Sequence, residues 1–196
     1  RPSYCSIMPC HCEKTSDTIH AADPHAWQSV ANAMTYADNI LVGLSAAAPA
    51  KADVFKTRHA AYRAELAALD AEIKTAFAPI PQKQRKIVTT HDAFAYFGKA
   101  YSVTFLSATG VSTESEASAG DVAKLIRQIK KEKVKAVFVE NISDPRLVQR
   151  LAEETGAELG PAVYSDALAA SGDASSYIGM MRQNAKAFAA ALTPKS

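Results

Sequence analysis

The chain has 196 residues, 48% of them hydrophobic, and a formal net charge of +2. That is enough apolar material for one sizeable core, alone or with an appendage. The charge has no strong sign and the Lys and Arg residues are scattered, so no nucleic-acid footprint is indicated. No run approaches the roughly 20 apolar residues needed to span a bilayer: the uncharged stretch NILVGLSAAAPA holds Gly43 and Pro49.

Residues 1–22 have a texture of their own. All three cysteines, Cys5, Cys10 and Cys12, fall there, with His11 and His20 beside them. The CHC triplet is a cluster of soft ligands that zinc or copper(I) takes. Neither its spacing nor a second ligand pair matches a structural zinc site, so an irregular leader, disordered or non-native, with incidental thiols is expected. It lacks the apolar h-region of an intact signal peptide.

A helical segment is expected over residues 23–82. Asp23 reads as an N-cap with Pro24 at the first helical position, opening a helix that runs to about Ala48 and is closed by Pro49. A second helix is predicted over residues 51–78, because Tyr62, Leu66, Leu69, Ile73 and Phe77 recur at steps of four, three, four and four on one face. At that length, roughly 40 Å, it is half of a bundle or a strut running past more than one domain. His59 lies off the apolar face and reads as solvated, and Trp27 reads as a packing anchor.

From residue 83 to 196 the texture becomes strand and helix in alternation. Strands are predicted at 86–90, 102–108 and 135–141, with a short one near 160–165. Between them lie a helix at HDAFAYFGKAY, a second starting from a capping box of Ser118 and Asp121, and a third capped by Ser143 or Asp144 and closed by Gly156. A final helix is predicted from about Ala174 to Leu192. The alternation implies an α/β fold, a parallel sheet flanked by helices, with ligands at the carboxyl ends of the strands.

Chemistry-bearing residues stand at those ends. The first strand is followed by His91 and Asp92, the third by Glu140 and Asn141, and the fourth by Ser165 and Asp166, while His25 lies in the first turn of an earlier helix. Imidazole and carboxylate converging in a cleft suit a borderline divalent cation, which makes His25, His91 and Asp166 the candidate ligands.

The segments DPHAWQSVANAMTYADNI, VTTHDAFAYFGKAY, GVSTESEASAGDVAKLIRQIKKEKVKAVFVENISDPRLVQRLAEETGA and YSDAL resemble the periplasmic substrate-binding proteins of zinc and manganese ABC transporters, the cluster A-I (cluster 9) family. The resemblance covers residues 23 to about 190. It implies two α/β lobes joined by one long helix, with the metal held between the lobes by four side chains. The histidine of DPHAW is His25, the histidine of THDAF is His91, and the aspartate of YSDAL is Asp166. The remaining ligand is a histidine of the amino-terminal lobe, which the resemblance places before DPHAW. Only 22 residues precede Asp23. The expectation is therefore a chain comprising the linker helix and carboxyl lobe, with His20 as the substitute ligand to consider.

Histidine at position 91 adds a nitrogen donor and favours Zn2+ over Mn2+ as the bound ion. Asp92 is a candidate to orient His91, with capping of the next helix as the alternative. Glu140 is an auxiliary oxygen, an acceptor behind a ligand, or a cap on the loop toward Ser143. The TESE run, Thr113–Glu116, reads as a solvated acidic loop. The resemblance implies a protein that is not an enzyme, located in the periplasm or anchored at the cell surface, whose partners are the metal ion and the transporter's permease. Self-association through a surface left by the absent lobe is a further expectation. The competing classes are a metal-dependent hydrolase, disfavoured by the lack of HExxH, GxSxG and a glycine-rich phosphate loop, and a helical oligomerisation module.

Overall fold

The structure, a computed structural model, describes residues 23–107, 109–110 and 118–193. The cysteine cluster, His11, His20 and the Thr113–Glu116 run lie outside the described residues.

The helix expected from Asp23 is two pieces. A 3-10 turn, Ala26–Gln28, is separated from helix α1, Val30–Ala47, by Ser29 in an extended conformation (φ −106°, ψ 123°). Asp23 does not cap a helix, because its carboxylate is taken up by His25. Asn32 bridges the break by donating its side-chain amide to the Ala26 carbonyl at 2.9 Å. A 3-10 turn at Pro49–Lys51 then reverses the chain into α2, Ala52–Phe77, of 26 residues.

Helices α1 and α2 form a hairpin whose two ends differ. Leu66, Leu69, Ile73 and Phe77 are buried, whereas Tyr62, the first residue of the predicted stripe, is 39% exposed. On α1 only Val30 is buried, and Ile40, Val42 and Leu44 are exposed, as is Val54 opposite them. His59 is not simply solvated. Its Nε2 lies 2.7 Å from Asp38 Oδ1, and Arg63 donates to the same carboxylate, tying α2 to α1.

The α/β part contains strands β1 (Lys86–Thr89), β2 (Thr104–Ser107), β3 (Ala136–Val137) and β4 (Glu158–Leu159). They form one parallel sheet in the order β2-β1-β3-β4. Helices α3 (Ala95–Tyr101), α4 (Ala119–Glu132), α5 (Arg146–Thr155) and α6 (Tyr177–Leu192) complete the chain. Successive strand residues serve opposite faces, as a period of two requires. Ile87 joins a core formed with α2, α3 and α6, and Val88 joins a second core with α4 and α5. Phe188 of α6 centres the larger core, with the rings of Phe94, Phe97, Phe105 and Phe138 at 5.1–5.5 Å. Among the described residues no helix is long and apolar enough to cross a membrane.

Several boundaries differ from the sequence reading. Regular pairing in β3 ends at Val137, although Phe138 and Val139 stay bonded to neighbouring backbone and Glu140 bridges Val163. Strand β4 comes earlier than expected, at 158–159. The α3 helix begins at Ala95, which leaves residues 91–94 as a strand-to-helix connection. Its N-cap is Phe94, with no side-chain bond, so Asp92 is not its cap. The predicted Ser118 and Asp121 capping box is present, the Ser118 hydroxyl oxygen accepting from the Asp121 N–H at 3.2 Å. At α5 the N-cap is Pro145, while Asp144 accepts the Arg146 N–H at 2.9 Å. Residues 173–175 form a 3-10 turn ahead of α6 rather than its first turn.

This topology sets the position of the site. The chain leaves β1 toward β2 on one side and leaves β3 toward β4 on the other, so the connections diverge between β1 and β3. The crevice at their carboxyl ends is the topological switch point of the sheet, where open α/β proteins bind ligands.

Candidate metal centre

His91 follows β1 and Glu140 follows β3, so the two arrive at the switch point from adjacent strands. Glu140 is fully buried. Its Oε1 accepts the His91 backbone N–H at 3.0 Å, and its Oε2 pairs with His91 Nδ1. With both oxygens engaged on His91, Glu140 grips the backbone and the ring of one residue. Its side chain is therefore not a cap on the loop toward Ser143, where the Glu140 backbone carbonyl accepts instead.

His25 is held in the same manner by a residue of its own turn. Asp23 Oδ1 accepts the His25 backbone N–H at 2.9 Å and lies 2.8 Å from His25 Nδ1. In both cases a carboxylate accepting from Nδ1–H fixes the tautomer that leaves the Nε2 lone pair facing the site. The two Nε2 atoms face each other at 3.4 Å, with the rings edge to face at a centroid distance of 5.2 Å. Asp166 closes the triangle, Oδ1 at 3.1 Å from His25 Nε2 and Oδ2 at 3.2 Å from His91 Nε2. Among the described residues, His25, His91 and Asp166 are the one group of three His, Cys, Asp or Glu side chains whose ligand atoms lie within 4.8 Å of one another. The imidazoles are buried, 2% and 1% exposed, whereas the Asp166 side chain keeps 29% exposure. The site is walled by its histidines and open at its carboxylate.

Burial alone would lower the pKa of His91, but the hydrogen bond and charge of Glu140, with the charges of Asp166 and Asp92, outweigh it and hold the imidazole above its ordinary value. Asp92 is shifted up by burial and by the negative charge of Asp23, against the pull of His25 and His91. Among the described residues Asp92 makes no hydrogen bond to either ring; its N–H donates to the Gly110 carbonyl at 3.2 Å. Glu140 occupies the orienting position at His91 for which Asp92 was a candidate, and Asp23 holds the equivalent position at His25.

Two nitrogen donors and a carboxylate at this spacing suit a borderline divalent cation such as Zn2+. Asp23 was missed as a partner of His25 because an aspartate before proline reads as a helix cap. The available signal was its position two residues before the histidine, the local reach of an Asx turn. Trp27 packs against the larger core as expected, and its indole N–H also donates to the Ser165 carbonyl at 3.1 Å.

Fold and donor set together are those of an α/β protein with a candidate divalent-metal centre. It is similar, at a TM-score of 0.84 and 32% identity, to the periplasmic zinc binding protein TroA from Treponema pallidum, over 88% of this chain and 64% of that one. It is also similar to a manganese-bound variant of the periplasmic metal binding protein from Candidatus Liberibacter asiaticus, at a TM-score of 0.83 and 26% identity over 93% and 68% of the two chains. Relatives by sequence include the metal ABC transporter substrate-binding lipoprotein FimA of Streptococcus parasanguinis, 35% identical over 83% of this chain and 53% of that one. The manganese ABC transporter substrate-binding lipoprotein PsaA of Streptococcus pneumoniae is 33% identical over 87% and 55%. The chain belongs to the family described as zinc-uptake complex component A, periplasmic, whose pattern matches residues 6–191. It spans about half the length of the curated relatives it matches.

Proposed function

We propose that this chain is the metal-holding part of an extracytoplasmic solute-binding protein that captures Zn2+ or Mn2+ and delivers it to the permease of an ABC importer. The observation that carries this reading is the convergence of His25 Nε2, His91 Nε2 and the Asp166 carboxylate, with each imidazole already oriented by a carboxylate on its far nitrogen. Family membership and the relatives' names support the transport role and a site of action outside the cytoplasmic membrane, in the periplasm or anchored at the cell surface. No bond of the cargo is made or broken, and nothing in the relatives supports a hydrolase.

His25, His91 and Asp166 are the ligands in this reading. Glu140 and Asp23 are their orienting partners, and Glu140 is not a further ligand, because both of its oxygens are committed to His91. The two imidazoles give the site nitrogen character and favour zinc over the oxygen-preferring manganese. The partly exposed carboxylate is the arm through which the ion arrives and leaves, since its neighbours are locked in the wall. Three donors leave one position of a tetrahedral shell for a further group.

The test is calorimetric zinc titration of the 196-residue chain beside His91→Ala and Asp166→Ala variants. Each substitution is expected to weaken one-to-one binding by about a hundredfold or more. Zinc binding of undiminished affinity in both variants would overturn the assignment.

A further inference from the structure

The residues that follow His25 in its turn reach across to the segment that carries Asp166. Trp27 Nε1–H donates to the Ser165 carbonyl at 3.1 Å, and Gln28 Nε2 donates to the same oxygen at 3.0 Å and to the Tyr164 carbonyl at 3.4 Å. These partners are 136 to 138 residues apart in sequence. The Ser165 carbonyl belongs to the rigid planar unit that ends at the Asp166 nitrogen and Cα, so fixing that oxygen fixes the stem from which Asp166 projects. From the other side, Asn184 of α6 donates to the Tyr164 carbonyl at 2.7 Å and accepts the Tyr164 N–H at 2.9 Å.

Gln28 is an unfavourable residue for the interior. It is fully buried, yet its Oε1 has no hydrogen-bond partner among the described residues. A buried acceptor left unmet costs stability, and an apolar side chain of similar shape would avoid that cost. What the amide supplies is the donor on its other atom, aimed at the Asp166 segment.

We infer that Gln28 and Trp27 are positioning residues that clamp the Ser165 carbonyl and thereby hold the Asp166 carboxylate in register with His25 before any metal arrives. This rests on the metal-site reading proposed above. One short turn, 25–28, then supplies a ligand and also sets the place of a second ligand 141 residues away. The exposed carboxylate has a fixed root and a movable end.

The test uses the 196-residue chain with Gln28→Leu and Trp27→Phe, and reads zinc affinity, metal-free melting temperature and the visible absorption of the Co2+ form. Gln28→Leu is expected to leave the metal-free melting temperature unchanged or raise it, lower zinc affinity at least about tenfold, and move the Co2+ spectrum toward that of Asp166→Ala. Trp27→Phe, which keeps an aromatic ring but removes the indole N–H, is expected to shift affinity and spectrum in the same direction. In an Asp166→Ala background, Gln28→Leu should change affinity by less than about twofold, because the group it positions is gone.

The positioning inference alone is overturned if both variants keep parental affinity and Co2+ spectrum while His91→Ala abolishes binding. It is likewise overturned if Gln28→Leu weakens binding equally with and without Asp166. If His91→Ala and Asp166→Ala bind zinc as well as the parent chain, the reading of the site falls and takes this inference with it.

Discussion

At the residue scale, the pairs around His25 and His91 solve one problem twice. An imidazole can rotate and can present either nitrogen, and a carboxylate on Nδ1 removes both freedoms. Asp23 does this from two residues away in the chain, whereas Glu140 does it from an adjacent strand. Replacing Glu140 with Gln keeps the shape and the acceptor for the His91 N–H but removes the charge on the ring. Zinc affinity, measured by calorimetry, is expected to fall about 10–100-fold with the fold intact, and an unchanged affinity would mean that His91 needs no such partner. The three candidate ligands were legible because they are the residue types that metals use, His91 and Asp166 where the sequence pattern ends strands and His25 in the first turn of an expected helix. Asp23 and Gln28 were not, because an aspartate before proline has a stronger default role and a glutamine in an expected helix has no visible one. The Gln28 contacts exist only once the chain bends at Ser29 and residue 165 arrives from the far end of the sequence.

At the element scale, the alternation of strands and helices was readable from periodicity, while the ends of elements were decided by contacts that periodicity does not carry. The run KAVFVEN looks like one long strand, yet only Ala136 and Val137 pair regularly; Phe138 and Val139 keep backbone bonds to neighbouring segments and Glu140 bridges Val163, which brings its side chain to His91. Strand β4 is edge-placed, two residues long and followed by Gly160. That glycine has a packing reason: a Cβ there would be driven into the ring of Phe138, which packs against Phe188. Gly160→Ala is therefore expected to destabilise the chain by about 1–3 kcal/mol, seen as a lower urea midpoint. An unchanged midpoint would show that the Phe138 ring can move aside. The predicted cap at Ser118 and the glycine stop at Gly156 match the structure, since both depend on contacts within one turn.

At the scale of the whole molecule, strand order was the feature furthest from view in the sequence. An alternating pattern implies parallel crossovers but leaves the order open; the observed order β2-β1-β3-β4 puts the ends of β1 and β3 side by side, and with them His91 and Glu140. The proposed donors come from positions 25, 91 and 166, so the site exists only in the folded chain. Zinc should accordingly raise the melting temperature in a concentration-dependent way, by about 2.7 kcal/mol of stability when free zinc is a hundred times the dissociation constant. A melting temperature indifferent to zinc would separate binding from the native fold. The long helix α2 carries one more consequence. From Leu66 onward one face of it, Leu66, Leu69, Ile73 and Phe77, is anchored in the larger core, whereas its start is covered mainly by α1 and by the Asp38, His59 and Arg63 cluster. Opening the anchored half requires the core to come apart, but the outer half can unwind locally. Amide hydrogen exchange along this single unbroken helix is thus expected to run at two rates, slow from Leu66 onward with the sheet and fast at its start.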